Sequence, residues 1–218
     1  MKLTHRYSHV RNLLAAYTFS KSIDDATDFA SSDPSEQVLD SYNRRLQRSV
    51  SSFDVPHRFT AAFDYHLPAP GLKAVLGGWQ VNGIITVQSG QPFTPFTSQF
   101  DPYRGESYNH LNLLGDPNGN VSRGFAYNPA AFSLPVIGTF GNSGRNIIRG
   151  DGYRSADLSL VRNFAIRDRV KLQMRLEATN SLNQVNYQGP IMDQSTTPGA
   201  FVAAAAPRTL QLGAKVQF

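Results

Sequence analysis

Apolar and polar residues alternate one for one along several runs of this chain, and that period of two limits what it can fold into. HRFTAAFDYHL sets Phe59, Ala61, Phe63, Tyr65 and Leu67 on one face and Arg58, Thr60, Asp64 and His66 on the other. GWQVNGIITVQSG sets Trp79, Val81, Gly83, Ile85 and Val87 against Gln80, Asn82, Thr86 and Gln88. NLLAAYTFSKS places Leu13, Ala15, Tyr17 and Phe19 together, and ADLSLVRNF sets Leu158 and Leu160 against Asp157 and Ser159. RTLQLGAKVQF alternates up to the terminal Phe218. Residues i and i+2 share a face only in an extended strand. VKLQMRLEATN is made of helix formers. As a helix it would scatter Lys171, Arg175 and Glu177 around the axis; as a strand it gathers them on one side, so it too reads as a strand.

Each run is about the length that crosses a bilayer as a tilted strand, ~9–11 residues. No stretch is long and apolar enough for a transmembrane helix, and the mean hydropathy is -0.33. A barrel wall produces that average, because lipid-facing and lumen-facing residues alternate. The expected fold is therefore all-β: an antiparallel, up-and-down transmembrane β-barrel segment.

The connections are unequal. Short turns are expected at 8–11, 68–77 and 165–169, and long loops at 23–56, 91–152 and 181–207. Outer-membrane barrels carry short periplasmic turns at one end and long loops at the other. With the short turns at the bottom, Tyr65, Trp79, Phe164 and Phe218 fall low on their strands and Tyr17, Phe19, Phe59 and Phe93 fall high. Two aromatic belts then bracket an aliphatic middle. Arg58, Asp64, His66, Gln80, Asn82, Gln88, Asp157, Asn163, Lys171, Arg175, Glu177, Gln211 and Lys215 are expected to face inward. Counting strand directions makes the stub at 2–7 parallel to the last strand at 208–218. The expectation is an open sheet of about seven strands, not a complete barrel.

Patterns that carry chemistry are sparse. DPNGN, Asp116 to Asn120, opens like a calcium loop, but Val121 stands where glycine is needed and Tyr127 where the closing glutamate belongs. It reads as a polar turn. GTFGNSGRNIIRG lacks the spacing of a phosphate-binding loop; its glycines should fold a long loop back, with Arg145 and Arg149 pairing to loop acids. Ser52, Asp54 and His57 lie close together in sequence, yet SSFDVPHRF is a loop entering a strand, without the elbow of an activated serine. His57 and Arg58 are expected to cap the strand top instead. His5, His9, His66 and His110 show no metal-ligand spacing, and there is no cysteine. No catalytic residue, metal or cofactor is expected. The net charge is +5, but Lys and Arg are scattered. Even the dense run NRRLQR has no DNA- or RNA-binding pattern around it, so nucleic acid is not expected as a partner. MKLTHRYSHV has neither the apolar core nor the cleavage site of a signal peptide. The chain either stays in the cytoplasm or lacks its true N-terminus.

YTFSKSIDDATD, DVPHRFTAAFDYHLP, GGWQVNGIITVQSGQPF, NPAAFSLPVIGTFGNSGRNIIRGDGYRSADLSLVRNF, RLEATNSLNQVNY and the terminal KVQF occur in that order. Together they resemble the C-terminal part of TonB-dependent outer-membrane receptors. The nearest group is the one with an N-terminal carboxypeptidase-regulatory-like domain, frequent in acidobacteria. The resemblance covers nearly the whole chain. It implies a barrel of roughly 22 strands, of which 1–218 supplies about a third. A plug domain that meets TonB, and the signal peptide, would lie on a missing N-terminal part. The implied location is the cell outer membrane, among lipid and lipopolysaccharide. The barrel assembly machinery reads a last strand ending in an aromatic, and Phe218 with Leu212 and Val216 fits that signal.

The implied activity is import of a scarce solute, small or oligomeric, driven by proton motive force through TonB, with no bond chemistry and no enzyme. The solute itself is open. Tyr103, Arg104, Tyr108, Arg145 and Tyr153 in the outer loops are the candidates for ligand contact, because aromatic and Arg side chains dominate recognition surfaces. The alternative is a soluble β-sandwich binding module, for carbohydrate or adhesion, which would bury the apolar faces in a dry core.

Overall fold

The computed structural model describes residues 2–5, 10–25, 38–68, 77–167 and 170–218. Seven strands form one antiparallel sheet in chain order: β1 (Lys2–His5), β2 (Val10–Phe19), β3 (His57–His66), β4 (Trp79–Gln88), β5 (Tyr153–Arg167), β6 (Val170–Thr179) and β7 (Thr209–Gln217). The only helical turns among the described residues are short 3₁₀ pieces at Arg44–Gln47 and Pro129–Ala131. The fold is all-β and up-and-down, as the alternation requires. The links at 6–9, 69–76 and 168–169, which hold most of the expected short turns, lie outside the described residues. Residues 165–167 are not turn but strand: a bulge between Ala165 and Arg167 lets β5 run on.

Partners across an antiparallel ladder point the same way, so the register assigns the faces. One row runs Leu13, Phe63, Gly83, Leu158, Ala178, Leu210, and the next runs Tyr65, Val81, Leu160, Leu176, Leu212. The opposite face carries Asp64, Asn82, Ser159, Glu177 and Gln211 in one row. On the apolar face the Phe63 ring lies across Gly83. A Cβ there would stand 2.5 Å from Phe63 Cζ and 2.8 Å from Leu158 Cδ2, so the ring can lie flat only over glycine.

No dry core forms on that face. Among its described hydrophobic side chains only Ala156 is buried, while Val87, Met174, Leu176, Leu210, Leu212 and Val216 are exposed. No second sheet of comparable size exists among the described residues to cover it, which is what a sandwich would need. The polar face holds a hollow of about 440 Å³ reaching from Ala62 across to Gln211, with Asn82, Asp157 and Glu177 in its lining. This face is not uniformly polar: Leu14, Ala62 and Ile84 share one of its rows, and Val161 is buried beside Gln80 and Arg175.

Aromatic residues mark both ends of the apolar face. Tyr17 pairs with Phe59 and Phe19 with His57 at the long-connection end. Trp79 and Phe164 lie at the other end, joined by Arg162, whose Cζ is 5.3 Å from the Trp79 ring centre and 4.5 Å from that of Phe164. Phe93, expected in the upper belt, is elsewhere. It belongs to the pairing of Pro92–Phe93 with Ile148–Arg149 and packs half-buried against the loops' own core.

That core is where the molecule's burial is concentrated. Leu39 from the first long connection, Phe96, Tyr108, Leu111, Tyr127, Ala131, Phe132 and Ile148 from the second, and Met192 from the third form one buried cluster. The long connections therefore fold into a cap with its own interior.

β1 and β7 are the two ends of the sheet and do not pair with one another. With every neighbour antiparallel, these two edges run parallel, so a closed antiparallel barrel containing this sheet needs an odd number of further strands. Unpaired backbone groups cost several kcal/mol each in lipid. The isolated chain in detergent is expected to sediment as an associated species. A stable, dispersed monomer would overturn that expectation.

Candidate functional site

The cap is tied across long sequence distances by a few buried polar side chains. Arg145 is buried and ion-paired with the Asp24 carboxylate. Its Nε donates to the Gln47 carbonyl at 3.0 Å and its Nη2 to the Asp24 carbonyl at 3.2 Å. Asn146 follows in the left-handed region, φ 56°. Its N–H donates to Thr94 Oγ1 at 2.9 Å and its Nδ2 to the Val50 carbonyl at 2.8 Å. Arg149 completes the series on Asp54, Nη2 to Oδ2 at 2.6 Å. Burial opposes ionisation of Asp54, but Arg149 and the Ser22 N–H, 2.9 Å from Oδ1, outweigh it and hold the carboxyl below the usual carboxylate range. The second and third connections are zipped by Phe96 N–H to the Met192 carbonyl and Gln194 N–H to the Phe96 carbonyl, 3.0 and 2.9 Å.

Glycine makes one of these packings possible. A Cβ on Gly141 would fall 2.0 Å from the His110 carbonyl oxygen, so the two loop segments touch backbone to backbone there. His110 is buried beside this contact, its Nδ1 2.9 Å from the Ser143 carbonyl. Burial pulls its pKa down to about 4, with Arg145 and Arg104 adding repulsion against the Ser143 bond. The unfolded chain takes up the proton near pH 6.5 and the folded cap refuses it until about pH 4. Cap stability is thus complete above the unfolded pKa and falls as pH drops between these values, by about 3 kcal/mol at pH 4. Denaturation series from pH 8 to pH 4 should show this slope, and His110→Asn should flatten it.

The sequence candidates are dispersed. Tyr103 is exposed on a tight turn closed by the Asp101–Glu106 bridge. Arg104 next to it folds back, Cζ 4.2 Å from the Phe140 ring centre and Nη2 3.1 Å from Glu106 Oε2. Tyr108 and Arg145 are interior parts of the cap and present almost no surface to a ligand. Leu212, Val216 and Phe218 are all exposed, the first two in the apolar rows opposite Leu176 and Leu172. Asp116 of the calcium-like DPNGN accepts the Asn118 N–H at 2.9 Å, an Asx turn. Asp54 and His57 turn to different partners, His57 Nδ1 lying 2.7 Å from the Tyr17 hydroxyl.

Tyr153, by contrast, lines a cleft. It lies directly opposite Gln88, at the top of the polar face, where the sheet meets the cap. Two adjoining hollows of about 320 and 350 Å³ share Gly150, Asp151 and Tyr187. Tyr187 stacks on Phe201, ring centres 4.8 Å apart and planes at 16°. Tyr187, Asp151 and Gln188 escaped the sequence reading. Tyr187 is a loop aromatic like Tyr103 and Tyr153, and only the folding of the third connection against the second singles it out.

The chain matches the family model of the outer membrane beta barrel domain over residues 1–211. It belongs to the outer-membrane β-barrel family. No curated protein and no solved structure matches it. Among the described residues no helix of this barrel protein is long and apolar enough to cross a membrane, and its strands are the crossing elements. In an outer-membrane β-barrel an uncovered apolar face meets lipid and a polar face lines the lumen, which is the division the register shows. The cleft around Tyr153 then stands at one mouth of the barrel wall, between the cap and the lumen hollow.

Proposed function

We propose that this barrel segment is part of the wall of a TonB-dependent importer, whose cap selects a scarce solute before it enters the lumen. The observation that carries the reading is the cleft at the junction of cap and polar face: a folded recognition surface stands directly above a lumen lined by Asn82, Asp157 and Glu177. A folded surface in that place is where selection before entry would act. The resemblance of the ordered motifs from YTFSKSIDDATD to KVQF gives the energy source: TonB, acting through a plug on the N-terminal part of the parent protein. Lipid and lipopolysaccharide surround the wall, and the barrel assembly machinery inserts it through the Leu212, Val216 and Phe218 signal. Asp54 and His57, which lie close together in sequence, are each engaged by another partner, which supports a reading without bond chemistry.

The test is solute depletion from the medium by cells with and without the gene, in the presence and absence of a protonophore. A depletion that vanishes with the gene and also with the protonophore is the expected result. Gene-dependent flux that survives the protonophore would identify a passive pore and remove TonB from the account.

A further inference from the structure

The lining of the cleft names a class of ligand. Tyr153 and Gln88 enter it from the sheet, Asp151 and Gln188 from the cap, and Tyr187 is held rigid by its stack on Phe201. Aromatic rings held in place give flat apolar platforms. Amide and carboxylate groups beside them accept and donate pairs of hydrogen bonds at the spacing of adjacent hydroxyls. The cation at the cleft edge, Arg149, is already engaged: its Nη2 pairs with Asp54 Oδ2 at 2.6 Å, and its Nη1 donates to the Gly90 carbonyl at 3.0 Å and the Asp54 carbonyl at 3.3 Å. The Asp151 carboxylate accepts only the neighbouring Gly152 N–H, at 3.0 Å, among the bonds seen at the cleft, and its charge is not offset there. Within the lining an anionic ligand would meet Asp151 and no cation but the engaged Arg149, at a cost in electrostatic complementarity; Arg58, opposite Gln88 on the sheet, lies outside that lining. A neutral ring with apolar CH faces and hydroxyl edges meets both the platforms and the polar groups.

We infer that the cleft between cap and sheet, built on Tyr153, Tyr187 and Asp151, binds a neutral saccharide. The binding site stands on its own geometry; its use as the entry site of an importer rests on the function proposed above. Sugar rings stack their CH faces on Tyr187 and Tyr153, and their hydroxyls bond to Asp151, Gln88 and Gln188.

The experiment uses the protein extracted in detergent from outer membranes of cells that make it. An array of neutral oligosaccharides is screened, and the strongest binder is titrated calorimetrically against wild type, Tyr187→Ala, Tyr153→Ala, Asp151→Asn and Tyr103→Ala, with an anionic ferric tris-catecholate complex as a second probe. The expected result is saccharide binding weakened at least tenfold by Tyr187→Ala and by Tyr153→Ala. Asp151→Asn should weaken it severalfold, Tyr103→Ala should leave it unchanged, and the tris-catecholate should not bind. If Tyr187→Ala fails to fold, Tyr153→Ala and Asp151→Asn carry the test. No binder among the neutral oligosaccharides, binding indifferent to the cleft substitutions, or tris-catecholate binding lost on Tyr153→Ala would each overturn the inference. A saccharide held in the cleft whose cellular uptake survives a protonophore would leave this site standing and remove the importer reading instead.

Discussion

Replacing Arg145 by methionine should destabilise the cap by about 3 kcal/mol, the lower end for breaking a buried ion pair, because Asp24 keeps partial contact with water. The loss has two parts. The Asp24 carboxylate loses its ion pair with Arg145. The carbonyls of Gln47 and Asp24 lose their donor. Arg145→Lys should recover little, because a single ammonium group cannot reproduce the fork that reaches two carbonyls and a carboxylate from one buried position. Hydrogen exchange is the suitable measurement. Protection should fall at Asn146, whose amide bonds to Thr94, and at Ser51, whose amide bonds to the Ser22 carbonyl, while amides in the middle of β5 keep theirs. If Arg145 acted as a recognition residue instead, the variant would lose ligand and keep its exchange pattern.

The second large effect tests the two faces of the sheet. Leu160 lies mid-strand in β5, between Val81 and Leu176 on the apolar side. Leu160→Arg should cost about 2–4 kcal/mol in a lipid bilayer, the price of a cation at its midplane. Gln211→Arg, on the other face opposite Glu177, should stay within about 0.5 kcal/mol of the parent. Urea unfolding from lipid vesicles, followed through the chain's single tryptophan, Trp79, reads both. Equal effects of the two substitutions would mean that the faces do not see different solvents.

The strands were legible because the signal is local. Every second residue repeats the information, and one register error would place Asp64, Asp157 or Arg175 in lipid, so the pattern tolerates no slip. The cap was not legible, because its core is assembled from residues as far apart as Leu39 and Met192, and nothing near either one announces the other. Arg145 shows the difficulty well. An arginine among glycines in a long loop reads equally as a hand for ligands or as a brace for carbonyls, and only the arrival of Asp24 and Gln47 decides. Phe93 carries the same lesson: beside a strand end it looks like a belt aromatic, but its pairing with Ile148 turns it into the cap. Tyr187 is the reverse case, an ordinary loop residue until Phe201 is laid against it.

The clasp of Phe96 on Met192 and Gln194 sets an order of events. Residues 94–149 leave the ribosome before the segment that completes their interior. Until the third connection arrives, Phe96 and its neighbours lack the Met192 side of their shelter. The cap is thus a roof that only the third connection completes. Contacts of this sequence separation are slow to form, so the roof should close last, on strands already in place. A stalled insertion would leave those aromatics bare outside the membrane, open to proteases that the finished cap excludes.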